Sequence, residues 1–294
     1  MIRHRVQSMR RQLAGYLWLS DWPAMLGWAA LAGMLAAFAT IAFHQGMYLI
    51  QSVVTGSSGS IVGGMTGLPW YGRLLLPALG GLVAGVLLWL AGRTRAGAHA
   101  DYMEAVAIGD GRLSIRTGLL RSVSSLFTVV SGGSIGREGA MVHLGAMAAS
   151  AIGRFSRFGM VRLRVLVACG AAAGVSAAYG APIAGALFVG EIVLGTMAMQ
   201  SFGPVLVAAA SANIVMRLTG HYHTMYVMDA LTQVTGIAVL PFIVLGVVTG
   251  LGAPLFLKFL DAFKGVFRRT GLALPWRLAL GGLLLGSLLV FRPD

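Results

Sequence analysis

A glutamate in a glycine-rich stretch, Glu138 within Gly136-Arg137-Glu138-Gly139-Ala140, is the residue best placed to do chemistry. The glycines let the backbone bend, and an apolar run then predicts a helix that starts at about residue 139. A helix start presents four unpaired N–H groups and about half a positive charge, so it attracts an anion. The Glu138 carboxylate would occupy such a site and be displaced by a mobile halide, which makes it a candidate gate. The simpler alternatives are that Glu138 pairs with Arg137 or only caps the helix.

One further acid, Glu191, also lies in apolar surroundings; the other seven fall at segment edges or in loops. An ionisable residue at membrane depth costs at least ~2.5–3.5 kcal/mol on insertion scales and is functional by default. We interpret Glu191 as a possible acid near an inner mouth, or else as a structural carboxylate bonded to backbone amides or arginines. His143 fits a packing or capping residue better than a proton relay.

The elements that must hold these residues are apolar segments. The run Ala24 to Phe43 exceeds a signal-peptide core of about 7–15 residues, so it predicts a first membrane helix. Further apolar stretches lie at 72–92, 114–131, 139–153, 161–179, 181–190, 202–218, 233–258 and 276–291. Two of them, 139–153 and 181–190, are short and follow Gly- or Pro-bearing turns. Short interrupted segments are typical of helices that start inside the membrane, which favours a transport protein.

The amino-acid composition excludes most classes of protein other than membrane proteins. Apolar residues make up 57% of the 294 residues and charged residues 11%, far from a soluble enzyme or a disordered chain. The 22 basic against 9 acidic residues lie between apolar stretches, so they indicate membrane topology and not nucleic-acid binding. Four arginines among the first twelve residues predict a cytoplasmic N-terminus. One cysteine excludes a disulfide framework, and we expect neither a metal site nor a cofactor.

Glycine pairs at a spacing of four predict close helix contacts. They occur at Gly81/Gly85, Gly170/Gly174, Gly246/Gly250 and Gly282/Gly286. In a chain with 42 glycines, any one pair has about even odds of arising by chance.

Several motifs together resemble one family. The stretch 131–141, Ser-Gly-Gly-Ser-Ile-Gly-Arg-Glu-Gly-Ala-Met, resembles the signature that opens a pore helix in the ClC family of chloride channels and chloride/proton exchangers. Residues 169–174 and 179–185 are similar to the next helix and the turn beyond it. Residues 101–105, 195–197 and 275–282 are similar to the bacterial ClcB-type branch. The resemblance spans nearly the whole chain.

The resemblance implies an all-α, polytopic membrane protein with two inverted halves, working as a homodimer with one pore per subunit. It implies that short broken helices direct their N-termini toward an anion site, and that Glu138 is the external gating glutamate. It also implies an anion site formed by Gly136, Arg137, Glu138, Gly139, Ala140 and Met141. The expected partners are chloride or a similar small anion and the lipid bilayer.

Three departures from the family pattern qualify these expectations. Where the family has a second pore motif with a serine, this chain has Ala96-Gly97-Ala98-His99-Ala100, so Gly97 and Ala98 would contribute backbone amides only. The position of the inner proton-transferring glutamate aligns with Ile192. Because isoleucine cannot take a proton, the resemblance favours a passive voltage-gated-type channel over a coupled exchanger. The chain also lacks most of the second half, so a truncated or inactive fragment is a further alternative.

The expected organisation is a basic cytoplasmic segment at 1–20, a first half at 21–230 and an incomplete second half at 231–294, in a bacterial inner membrane. Two other classes compete with anion transport. An intramembrane serine protease would use Ser134 in Gly132-x-Ser134-x-Gly136, and would need a histidine base within reach. A cation- or amino-acid-coupled secondary transporter would also use broken helices, but it usually needs more embedded carboxylates than the two present.

Overall fold

The computed structural model describes residues 22–56, 61–93, 101–195, 198–222 and 239–291. Within these ranges the regular secondary structure is helical, as the sequence predicts. The helices are α1 Trp22–Thr55, α2 Ile61–Thr66, α3 Trp70–Arg93, α4 Tyr102–Ala107, α5 Ile115–Val130, α6 Glu138–Phe155, α7 Met160–Tyr179, α8 Pro182–Phe188, α9 Met199–Leu218, α10 Val239–Arg269 and α11 Leu274–Phe291, with a π-helical turn at Val189–Val193.

Six of the described helices are long and apolar enough to cross a membrane: α1, α3, α7, α9, α10 and α11. Each predicted apolar stretch corresponds to a helix over its described residues. Most ends shift by a few residues, but α10 continues eleven residues past the predicted end at 258, to Arg269. The largest shift is in α1, which continues to Thr55 and spans 34 residues. At 1.5 Å per residue, α1 is about 51 Å long and exceeds a hydrocarbon core of about 30 Å. The N-terminal segment 1–20 lies outside the described residues.

The core is built around α7, which packs against α1, α6 and α9. Leu166 to Cys169, in the middle of α7, are fully buried. α6 and α7 run antiparallel and touch through glycine: a Cβ added to Gly145 would lie 2.4 Å from the Gly170 carbonyl oxygen. A Cβ on Gly174 would lie 2.7 Å from Val142 Cα. These contacts fix α6, and therefore the start of α6 at Glu138, against the most buried helix.

A second glycine contact joins α3 to α11. A Cβ on Gly81 would lie 2.4 Å from the Leu278 carbonyl oxygen, and one on Gly282 would lie 2.1 Å from that of Pro77. Helices α3 and α11 therefore run antiparallel, as α6 and α7 do. Three of the four predicted glycine pairs therefore lie at helix contacts. Gly246 and Gly250 of α10 have no described atom within 4 Å of an added Cβ.

Contacts at the helix ends define two sides of this core. On one side the Trp28 ring of α1 meets the Phe158 ring of the turn between α6 and α7, with centroids 5.5 Å apart. On the other side Gln45 of α1 contacts His221 beyond α9 at 3.1 Å. Tyr222 there donates to the Gly180 carbonyl oxygen at 3.4 Å. α6 begins near this second side and ends at the first.

Candidate functional site

The chain bends sharply before α6, and glycine makes the bend possible. Gly132 adopts φ +92, a conformation that side-chain-bearing residues rarely adopt. The Gly133 amide donates to the Thr128 carbonyl oxygen at 2.8 Å, which turns the chain back over the end of α5. Gly80 of α3 lies directly against Ser131, where a Cβ would come within 2.2 Å of the serine Cβ. The loop that presents Glu138 is therefore held by α3 and α5.

Glu138 is the first residue of α6, as the sequence predicts. Its carboxylate folds back over Gly136, because a Cβ added to Gly136 would lie 2.8 Å from Oε2. Oε1 is 3.9 Å from Arg137 Nε, and the Glu138 side chain is 20% exposed. Glu138 and Arg137 therefore form the ion pair that the sequence offered as an alternative, but at a long distance. A contact of this length between partly exposed groups contributes little to stability.

The first-turn amides of α6 receive no side-chain cap. Arg137, at the N-cap position, has helical backbone angles of φ −67 and ψ −21 and makes no side-chain cap bond. The first intrahelical bond runs from the Met141 amide to the Arg137 carbonyl oxygen at 3.4 Å. Gly139 has nothing within 4 Å of an added Cβ, so the backbone is open on that side. The arrangement leaves N–H groups at 138–140 available to an anion.

Next to the first turn of α6 is a cavity of about 240 Å³ between α4, α5 and α6. Arg121, Ser122, Ser125 and His143 line its walls. His143 packs edge-on to Tyr102 with ring centroids 6.4 Å apart. His143 Nε2 is buried against Gly118 and has no hydrogen-bond partner among the described residues. The contacts of this ring fit the packing role favoured by the sequence.

The short segment after α7 also begins at a glycine turn. Gly180 has φ +69 and ends α7, and Pro182 is the first residue of α8. After only seven residues α8 passes into the π-helical turn Val189–Val193, which holds both Glu191 and Ile192. The Ile192 side chain is 56% exposed, and Glu191 is exposed beside it. Within the described part of the chain, Glu191 takes part in no ion pair.

The structure brings Gly136 to Met141 together at one helix start and places Glu191 and Ile192 on a separate turn. Gly97 and Ala98, predicted to contribute to the anion site, lie outside the described residues. Ser134, the nucleophile of the protease alternative, forms no hydrogen bond to a histidine in the described ranges. Sequence reasoning missed the Gly80–Ser131 contact, which no local pattern signals.

These features define a class: a multi-pass, all-α membrane protein in which α6 and α8 start just after glycine-bearing turns. A family model described as "Voltage gated chloride channel" matches residues 80–294. The chain therefore belongs to the voltage gated chloride channel (ClC) family. Members of this family are channels and transporters rather than a class of enzymes.

Relatives named as ClC-type proteins support this family assignment. The chain is 46% identical over 279 residues to a putative chloride channel protein ClcB-like of Ralstonia nicotianae, covering 92% of this chain and 64% of the relative. It is 42% identical over 271 residues to the voltage-gated ClC-type chloride channel ClcB of Escherichia coli, covering 90% and 64%. This chain therefore spans just under two thirds of the length of these curated relatives.

Two solved structures share the fold. A slow cyanobacterial Cl⁻/H⁺ antiporter superposes with a TM-score of 0.73 at 20% identity, covering 91% of this chain and 64% of that one. A CLC-type fluoride/proton antiporter superposes with a TM-score of 0.74 at 23% identity, covering 92% and 65%. At these identities the likeness establishes the ClC-type helical fold alone.

Proposed function

We propose that this chain transports chloride or a similar small anion across a membrane, through a pore that Glu138 gates. The observation that carries the proposal is the Glu138 carboxylate folded over Gly136 at the uncapped start of α6. A carboxylate in that place acts as a tethered anion that competes with a mobile one for the same N–H groups. The relatives from Ralstonia nicotianae and Escherichia coli, which are named as chloride channels, support the choice of anion.

The gating role is tested by chloride efflux from liposomes that contain the 294-residue chain. We expect Glu138→Gln to change the efflux rate several-fold, because the neutral amide no longer competes as an anion. Asp261→Asn is the matched control, since this carboxylate is exposed on α10 and paired with Lys264 at 3.2 Å. Efflux unchanged by Glu138→Gln would refute the gate, and no efflux from folded protein would mean that the chain is an inactive part of a longer one.

We propose a passive channel over a proton-coupled exchanger. Ile192 is 56% exposed on the π-helical turn and carries no group that binds a proton. The alternative is exchange in which the neighbouring Glu191, also exposed, supplies the proton. The reversal potential under a pH gradient separates the two: a channel shows none of the displacement that a fixed chloride-to-proton ratio requires. We expect Ile192→Glu to displace the reversal potential under a pH gradient. If the wild type already shows such a displacement and Glu191→Gln removes it, the exchanger is favoured.

We also propose a bacterial inner-membrane location with a cytoplasmic N-terminus. The side of the core where α1 begins carries Arg154, Arg157, Arg162 and Arg164, whereas Arg137 and Arg217 lie toward the other side. An excess of arginine on one side marks that side as cytoplasmic. We propose in addition that the protein forms a homodimer and that the chain divides into a first half at 21–230 and a second half from 231.

A further inference from the structure

Helix α10 changes character along its length. Its first 19 residues, 239–257, carry no charged side chain. At about 1.5 Å per residue they measure about 28 Å, which is close to a hydrocarbon core of about 30 Å. The last three turns of α10, residues 258–269, hold five charged side chains: Lys258, Asp261, Lys264, Arg268 and Arg269. Since the uncharged part alone is long enough to span the membrane, the charged turns extend beyond the hydrocarbon.

The charged and the aromatic side chains of these turns lie on opposite faces of the helix. At about 100° per residue, the five charged positions fall within an arc of about 140°. Phe256, Phe259, Phe263 and Phe267 fall within an arc of about 80° on the other side. The rings of Phe259 and Phe263 contact each other, with centroids 4.5 Å apart. The end of α10 is therefore an amphipathic helix with an aromatic face.

The polar face carries more positive than negative charge. Lys264 Nζ lies 3.2 Å from Asp261 Oδ1, so this lysine is paired. Asp261 is the only acid between positions 230 and 293 of the sequence. Lys258, Arg268 and Arg269 form no ion pair with the residues that the structure describes. These three side chains make the face basic.

No described helix covers this end of α10. None of the residues 240–269 is buried, and the rings of Phe256, Phe259 and Phe263 are at least half exposed. The aromatic face calls for an apolar neighbour, and the basic face opposite it calls for an anionic one. A membrane surface with anionic lipids offers both, with acyl carbons on one side of the helix and phosphates on the other. A dissolved anion would satisfy the basic face alone and leave the rings in water.

We propose that the last three turns of α10 lie at the membrane surface and bind the headgroups of anionic phospholipids. Lys258, Arg268 and Arg269 contact the phosphates, whereas Phe259 and Phe263 lie among the upper acyl carbons. Pro254, just before these turns, has no amide hydrogen for a helix bond, which allows the helix to bend toward the surface. The inference concerns a different part of the molecule from Glu138 and does not depend on anion transport.

The test measures which lipids surround the end of α10 in liposomes that contain the whole chain. Cys169 is the single cysteine and is fully buried, so a thiol-reactive bimane dye labels an introduced cysteine instead. Ala262→Cys places the dye between the two faces. Gly246→Cys places it in the uncharged part, where no described atom lies within 4 Å of an added Cβ. The quenchers are phosphatidylglycerol and phosphatidylcholine, each added in trace amount with a nitroxide on the upper acyl chain.

We expect phosphatidylglycerol to quench the dye at position 262 at least about twice as strongly as phosphatidylcholine, because basic side chains near the surface attract anionic lipid. At position 246 the two lipids should quench equally. Arg268→Gln combined with Arg269→Gln should remove most of the preference at 262. The matched control is Asp261→Asn combined with Lys264→Gln, which removes one charge of each sign and should keep the preference.

Four results would overturn the proposal. The first is equal quenching by the two lipids at position 262. The second is a preference of the same size at 246, which would mean that phosphatidylglycerol gathers around the whole protein. The third is an arginine double variant that keeps the full preference. The fourth is a dye at 262 that neither lipid quenches while the dye at 246 is quenched, which would mean that protein covers the end of α10.

Discussion

Helices α4 and α5 begin with a side-chain cap, whereas α6 begins without one. Asp101 Oδ1 accepts a hydrogen bond from the Met103 amide at 2.9 Å, and Ser114 Oγ accepts one from the Thr117 amide at 3.4 Å. Arg137 makes no such bond at the start of α6. The first-turn amides of α4 and α5 are thus partly satisfied by neighbouring side chains, whereas those of α6 receive no bond from the N-cap residue, and the Glu138 carboxylate lies beside Gly136.

The difference shows where α6 gets its stability. A cap contributes about 1 kcal/mol to a helix, so an uncapped helix has to be fixed by other contacts. In α6 these contacts lie along its sides and at its far end, through Gly145 against Gly170 and through the buried hydroxyl of Ser150. A helix held in this way can leave its start open for a ligand. Four variants test this comparison.

The largest effect is expected for Gly145→Val. A Cβ there would lie 2.4 Å from the Gly170 carbonyl oxygen and 3.0 Å from Ala36 Cβ, so α6 and α7 would have to separate. We expect a loss of about 3 kcal/mol in the free energy of unfolding, at the upper end of the usual cost of overpacking. The unfolding midpoint in detergent measures it. Gly139→Val is the control in the same helix, since nothing lies within 4 Å of a Cβ there; equal midpoints would show that side contacts do not hold α6.

Ser150→Ala should come next. The Ser150 hydroxyl is fully buried, donates to the Gly111 carbonyl oxygen at 2.8 Å and accepts from the Leu113 amide at 2.9 Å. Removing it leaves two buried backbone groups unpaired, which should cost about 2 kcal/mol. Ser287→Ala, an exposed hydroxyl bonded to its own helix at Leu284, should leave the midpoint nearly unchanged. Similar values for the two variants would contradict a bridging role for Ser150.

The helices and the start of α6 could be predicted from the sequence because their signals are local. The apolar runs predict the ends of α6 and α7 to within two residues, and the glycines around Glu138 predict the bend before α6. The short helix α4 was missed, although Asp101 followed by Glu104 is a signal for a helix start. The Ser150 bridge depends on contacts, and the positive φ of Arg157 (+55) on a backbone angle, that only the folded chain defines. For the same reason sequence alone could not separate the paired glycines from Gly246 and Gly250.

Asp101→Ala tests the capped side of the comparison. The substitution removes the bond to the Met103 amide, and a lost cap typically costs about 1 kcal/mol. Asp101→Ser keeps an oxygen at the cap position and should recover most of the stability. The unfolding midpoints of the two variants measure this difference. If alanine and serine behave alike, the Asp101 cap does not stabilise α4, and the contrast with α6 loses its basis.

Glu138→Gln should have the smallest effect on stability. The 3.9 Å contact to Arg137 joins side chains that are 20% and 39% exposed, and such pairs contribute little. A negative charge at a helix start adds about 0.3–1 kcal/mol, so the total loss should stay below about 1 kcal/mol. The midpoint should be measured on the same protein used for chloride efflux. A small change in stability with a large change in efflux is what an uncapped helix start with a mobile gate requires. A loss of stability close to that of Ser150→Ala would instead make Glu138 the structural cap of α6, and the difference between α6 and the capped helices would disappear.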